Sequence, residues 1–186
     1  MTPLIIVISL ILIIFLYLIF TYNRFVRLNN LVQEGWSGID VQLKQRADLI
    51  PNLIETVKGY MGHEKGVLEQ VTKLRTQCLT AGSVQDRAAN ENMLTGALRQ
   101  LFAVSENYPE LKASQNFLDL QQNLAAIESQ LQLARRYYNG TVRDYNMLVQ
   151  SFPSNLIANS LHFTSKPFFE IEDAKEREAP KVSFSS

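Results

Sequence analysis

Residues 4–20 read LIIVISLILIIFLYLIF, apolar throughout except for Ser9 and the amphipathic Tyr17. With Tyr22 as a second interfacial aromatic, the segment makes a helix of about 28 Å at 1.5 Å per residue, which matches a bilayer core. A run this apolar has no stable place on the surface of a water-soluble domain, so it sets the architecture of everything after it. A cleavable signal peptide fits poorly. No Lys or Arg precedes the run, no small-residue cleavage site follows it, and it is long for a signal sequence. No cysteine lies nearby to carry a lipid. We therefore expect a retained anchor over residues 1–22. Arg24 and Arg27 follow the run and no side-chain cation precedes it. The positive-inside rule then puts the N-terminus outside and the following domain in the cytoplasm.

From Asn23 the pattern becomes one face of a helix. Trp36, Ile39, Leu43, Ala47, Ile50, Ile54, Val57 and Met61 step by three or four, led in by Leu28 and Val32. Only polarity separates Phe20 from Asn23, so the membrane helix is expected to run straight on into the domain. Pro51 falls inside this stripe without changing its phase and predicts a kink, since it removes the hydrogen bond to the Ala47 carbonyl. Gly59, Gly62 and Gly66 predict a local loosening or a close approach of another backbone. The stripe resumes with Val67, Leu68, Val71, Leu74 and Leu79, and the lone Cys78 is expected to be a small core residue. A single cysteine rules out an intrachain disulfide and a Cys-based metal site.

The first clear turn is AGSVQD at 81–86, where Ser83 and Asp86 have the spacing of an N-cap and an acidic first turn. A helix carrying Met93, Leu94, Ala97, Leu98, Leu101 and Phe102 follows and stops near Ser105, ahead of the NYP of 107–109. The last long helix begins at Ser114. Phe117, Leu120, Leu124, Ile127, Leu131, Ala134 and Tyr138 alternate steps of three and four, and Val142, Tyr145, Val149 and Phe152 continue after a stutter. Ile127 stands at the centre of this stripe, so the unpaired charge of Ile127→Asp is expected to unfold the bundle. A short helix over Ser154–Ser160 with Pro153 at its first position closes the domain. The fold class is thus all-α: a transmembrane helix continuing into a long-helix antiparallel bundle over residues 23–165. A tail over 166–186 is expected to be partly disordered or docked through Phe168, Phe169 and Ile171.

Four ordered blocks carry a resemblance. IDVQLKQRADLIPNLIETVKGYMGHEKGVLEQVTKLR (39–75), YPELKASQNFLDLQQNL (108–124), ARRYYNGTVRDYN (134–146) and FPSNLIANSLHF (152–163) are similar to the signature regions of the LemA family. The chain departs from the usual pattern at Gln45, where a basic residue is common, and at Leu131–Gln132, where small residues are. The resemblance implies a bacterial single-pass membrane protein with a LemA-like long-helix bundle on the cytoplasmic side. It implies no enzymatic activity, and by gene association some members resemble accessory proteins of membrane metalloproteases.

The residues themselves offer no catalytic constellation. His63 and His162 are far apart and at no metal-ligand spacing, and His63-Glu64 near Glu69 reads as a solvated helix turn. There is no G-x-S-x-G, no Walker loop and no inward Glu-x-x-His pair of the kind that holds metals in bundles. No catalytic, cofactor-binding or metal residues are assigned. Lys plus Arg equals Asp plus Glu at 18 each, so nothing points to nucleic acid. The cluster Arg135, Arg136, Tyr137 and Tyr138 reads as a solvated face with packed tyrosines. Asp40, Arg46, Asp48, Asn52 and Glu55 on the first helix, and Asn123, Glu128, Arg135, Asn139 and Asn146 on the last, lie close to the apolar stripes. Pairs among them are expected to fix register. The glutamine-rich flank of Gln115, Gln121, Gln122, Gln130 and Gln132 carries few charges that would repel a neighbour. The expected function is therefore a membrane-tethered, non-enzymatic scaffold that forms homo-oligomers. The alternative is an adaptor whose helix faces or FFEIED segment (168–173) dock another membrane protein such as a metalloprotease.

Overall fold

A computed structural model describes residues 2–62 and 64–169. They form six helices and, among the described residues, no strand: α1 Thr2–Lys58, α2 Lys65–Thr80, α3 Val84–Ser105, α4 Pro109–Lys112, α5 Gln115–Gln150 and α6 Ser154–Ser160. The fold is all-α, as the periodicities require. Two compact units divide it. The first takes the chain up to Leu49 together with Leu120–Phe168, and the second takes Ile50–Asp119 with Phe169. His63, Ile171 and the rest of the expected tail from 170 onward lie outside the described residues.

In the first unit, α1 begins as the one helix among the described residues that is long and apolar enough to cross a membrane. Every described side chain from Thr2 to Phe20 is exposed, and Thr21 is the first to be buried. Packing therefore starts at the residue where the apolar run ends. Phe25, Val32, Ile39 and Leu43 then face α5, whose Leu124, Leu131, Tyr138, Val142 and Tyr145 are buried in return. The two helices run antiparallel. Phe25 meets the Tyr145 ring edge-on at 6.3 Å, Trp36 lies 5.7 Å from the Tyr138 ring, and Arg46 reaches Glu128. Gly35 permits this pairing. A Cβ on it would lie 3.1 Å from the Tyr138 Cα and 3.4 Å from the Tyr138 Cβ, so the helices touch backbone to backbone there.

The second unit holds the end of α1, the α2–α3 hairpin, α4 and the first turn of α5. Ser83 caps α3: its Oγ accepts from the Asp86 N–H at 3.0 Å and donates to the Asp86 carboxylate at 2.7 Å. The amide of Asn90 donates to the Gln77 carbonyl at 3.2 Å and ties α3 to α2. Leu53, Val57, Val71, Leu101 and Leu111 are fully buried, and Cys78 is a core residue as expected. Phe102 and Phe117 pack at 6.0 Å.

Several local expectations shift. α1 continues through Pro51 and ends at Lys58, so the first break falls between α1 and α2 rather than at 81–86. Three glycines within eight residues, each costing about 1 kcal/mol in a helix, outweigh a stripe that stays in phase. Leu79, Met93 and Phe152 are exposed although they sit on the periodic pattern, Phe152 by 79%. Leu79 and Met93 lie at the margins of their stripes, next to the buried Cys78 and Leu94, and α5 has already ended at Gln150 before Phe152 is reached. Pro153 precedes α6 as its cap instead of opening it. α4 is an added single turn with Pro109 at its start.

Ile127 is only half-buried, whereas Leu131 one turn on is completely buried. Leu131→Asp should therefore cost several kcal/mol and abolish cooperative unfolding, with Ile127→Asp milder by at least about 1 kcal/mol. Thermal denaturation followed by circular dichroism in mild detergent checks the order. Equal loss in both variants would contradict this placement of the core.

Candidate functional site

The polar residues expected to fix register separate into two groups. Asp48, Asn52, Glu55 and Asn123 are exposed. Arg46, Arg135 and Asn146 are buried, with Asp40, Glu128 and Asn139 half-buried beside them. The α1–α5 pairing brings this second group into one seam of the first unit. Arg46 is 4% exposed, and its Nη1 lies 3.1 Å from Glu128 Oε2, a close ion pair without the alignment of a hydrogen bond. The pairings Trp36 with Tyr138 and Arg46 with Glu128 bracket Asp40 and set it level with residues 134–135. Charges this far from water are costly unless opposed, so a slip of one residue along either helix would strand them. The seam gives α1 and α5 one admissible register.

At the other end of the seam, α5 holds an extended strap over residues 163–168. The Asn146 side chain pairs with Lys166 as a neighbouring strand would. Its amide donates to the Lys166 carbonyl at 2.8 Å and its oxygen accepts from the Lys166 N–H at 2.8 Å. The Tyr138 hydroxyl donates to the Pro167 carbonyl at 2.9 Å. The Lys166 ammonium sits over the Tyr145 ring, 5.9 Å from its centroid. Phe163 stacks on Phe25 at 4.7 Å with rings 8° from parallel. Lys166 precedes a proline, which disfavours the helical region and holds it extended for this pairing. Phe169, the last described residue, is buried, and Phe168 is exposed.

Tyr138 therefore joins both parts: its ring packs on Trp36 and its hydroxyl holds the strap. Burial pushes the Tyr138 phenol, and that of Tyr145, above the usual 10.0 by desolvation. The Arg135–Tyr138 cluster is split, with Arg135 and Tyr138 inside and Arg136 and Tyr137 outside. That division favours packing over a nucleic-acid groove.

Two features escaped the sequence reading. The strap has no periodicity to mark it, although the Lys-Pro step at 166–167 offers an extended residue and a free carbonyl that an amide could find. Glu91 is buried on α3 at a stripe position, three residues from both Ala88 and Leu94, which is a signal readable from spacing. His162 is exposed, and His63 lies outside the described residues. Among the described residues, no three His, Cys, Asp or Glu side chains come together as metal ligands.

The LemA family profile matches residues 35–184, most of the chain. The chain belongs to the LemA family. Its match opens at Gly35, the residue at which α1 and α5 touch, and takes in the whole seam and strap. Protein LemA of Metamycoplasma hominis is 24% identical over 155 residues, covering 81% of this chain and 69% of that protein. Magnetosome protein MamQ 2 of Paramagnetospirillum magneticum is 22% identical over 183 residues, covering 84% and 67%. Magnetosome protein MamQ of Magnetospirillum gryphiswaldense is 21% identical over the same length.

In this LemA-family chain the Tyr138 phenol has a folded pKa above its unfolded value. Its contribution to stability is complete below pH 10 and is lost as pH rises through the raised folded value. Tyr138→Phe should cost about 1 kcal/mol at neutral pH and flatten the fall in melting temperature above pH 10. Melting curves of both proteins across that range check this. Parallel declines would show that the hydroxyl is not a buried donor.

Proposed function

We propose that this LemA-family protein is a membrane-anchored helical scaffold that self-associates and has no catalytic chemistry of its own. In this reading the apolar start of α1 crosses the bacterial inner membrane once, with the N-terminus outside. Arg24 and Arg27, both exposed just past the run, hold the helical domain in the cytoplasm.

The observation that carries self-association is a second stripe on α5. Ala126, Gln130, Leu133, Tyr137, Gly140, Asp144 and Met147 alternate steps of four and three along the outer side of α5, with the Tyr137 ring at its border reaching back to Gly35. Leu133, Tyr137 and Met147 are each about half exposed, at 50%, 46% and 52%. A helix that is apolar on two opposite sides finds a partner for both. The step pattern is that of a coiled-coil seam, and the flanking glutamines add hydrogen bonding without like-charge repulsion.

One observation favours the adaptor reading. In the second unit a groove of about 680 Å³ is lined by the buried Ile54, Met61 and Leu68 and by the exposed Lys58, Lys65 and Lys73, with Glu69 the one carboxylate among them. That chemistry suits the apolar face of an acidic amphipathic helix from another membrane protein, such as a membrane metalloprotease.

Light scattering of the full chain in mild detergent, beside a chain beginning at Asn23, separates the two. A discrete oligomer that falls apart on Leu133→Glu supports the scaffold. Monomers of both chains would overturn it and leave the adaptor.

A further inference from the structure

We propose that α6 is a membrane-contacting element: Leu156 and Leu161 sit in the lipid leaflet at the end of the membrane span, and the groove between α6 and α1 takes a lipid acyl chain. This rests on the reading that the apolar run of α1 crosses the bilayer.

The placement follows from depth. The run over residues 4–20 is about 25 Å long, so it has no residues to spare if it is to fill a hydrocarbon core of about 30 Å. Leu18 and Ile19 must therefore lie in hydrocarbon. An element packed beside them is carried to the same level. A groove of about 540 Å³ lies there, with Leu18, Ile19 and Tyr22 of α1 on one wall and Leu156, Ile157 and Leu161 of α6 on the other. Its walls are almost wholly apolar and it is open. Leu156 is 58% exposed and Leu161 48%. Tyr22 closes this wall as an interfacial aromatic, and the exposed Arg24 and Arg27 follow it, the order expected where acyl chains give way to headgroups.

α6 is held in this attitude. The Ser154 hydroxyl donates to the Leu148 carbonyl at 2.6 Å and fixes its start to the end of α5. At its end, the Phe163 N–H donates to the Ala158 carbonyl at 2.9 Å, and His162 takes a left-handed φ of 59°. This is the helix-terminating turn that glycine usually makes. Phe163 is then stacked on Phe25. With both ends fixed and Ile157 and Ala158 turned into the core, Leu156 and Leu161 have no inward alternative. In water they would widen the apolar surface of the run, whereas in a leaflet they complete it.

Depth-dependent quenching tests this in the full chain, reconstituted into phosphatidylcholine–phosphatidylglycerol vesicles. In a Cys78→Ser background, single cysteines are introduced as Leu156→Cys, Ile11→Cys and Gln132→Cys and labelled with nitrobenzoxadiazole. Leu161→Cys, on the same groove, serves if Leu156→Cys does not fold. The Leu156→Cys label should be blue-shifted and lose fluorescence with lipids brominated near the headgroup. The Ile11→Cys label should lose it with lipids brominated deep in the chain, and the Gln132→Cys label with neither. Quenching at Ile11→Cys alone would overturn the α6 proposal and leave the anchor intact. A blue shift at Leu156→Cys that depends on protein density and not on bromine would put a second copy of this chain on the groove, and would also overturn it. No quenching at Ile11→Cys would remove the anchor reading and the proposal together.

Discussion

The contact of α1 with α5 at Gly35 is the constraint on which the first unit depends. Two long helices can come backbone to backbone only where one of them lacks a side chain. Once they do, their direction and register are set for turns on either side. Tyr138, lying against that glycine, is positioned to pack on Trp36 and to present its hydroxyl to the strap. Three turns away the same register delivers Arg46 to Glu128. An apolar stripe alone would tolerate slippage. The buried charges make every other register expensive, so close packing supplies the affinity between the helices and the ionic seam supplies its uniqueness.

Continuity of α1 turns that local constraint into a functional one. No loop intervenes between the apolar run and the packed face: α1 is continuous from Thr2 to Lys58, and its first buried residue, Thr21, directly follows the run. The orientation of the span is thus passed to the first unit through helical backbone. The strap and α6 return the chain to the start of this unit, where Phe163 lies against Phe25 and Tyr22. In the scaffold proposed above, this continuity would hold the outer face of α5 at a fixed orientation to the span.

Much of this was readable in the residues because burial has a period. The stripe from Ile39 to Met61 and the cap at Ser83 are local patterns, and so are the limits of α6. Each is fixed by neighbours within about one or two turns. What was not readable depends on distant partners. The role of Gly35 exists only because Tyr138 arrives opposite it. Asn146 finds Lys166 across 20 residues of chain, through a turn and a short helix that no periodicity describes. Ile127 and Leu131 are equal members of one stripe, and only the path of the neighbouring helices decides which is sealed. Leu79 and Met93 are apolar residues on the surface, which is common because polar surface is never sufficient to cover a fold. The α5 face that supports self-association was visible only as a glutamine-rich flank, since its Leu133, Tyr137 and Met147 mean little until the opposite side is known to be filled.

The antiparallel register of α1 on α5 can be tested by one covalent bond. A Cβ at Gly35 lies 3.4 Å from the Cβ of Tyr138, close to the roughly 3.5–4.5 Å that a disulfide spans. In a Cys78→Ser background, Gly35→Cys combined with Tyr138→Cys should oxidise to an intramolecular disulfide, seen as a gel shift that reduction reverses. Gly38→Cys combined with Tyr138→Cys should not, since position 38 is open to solvent. Failure of the first pair to close, or equal closure of both, would contradict the register from which the seam and the strap are built.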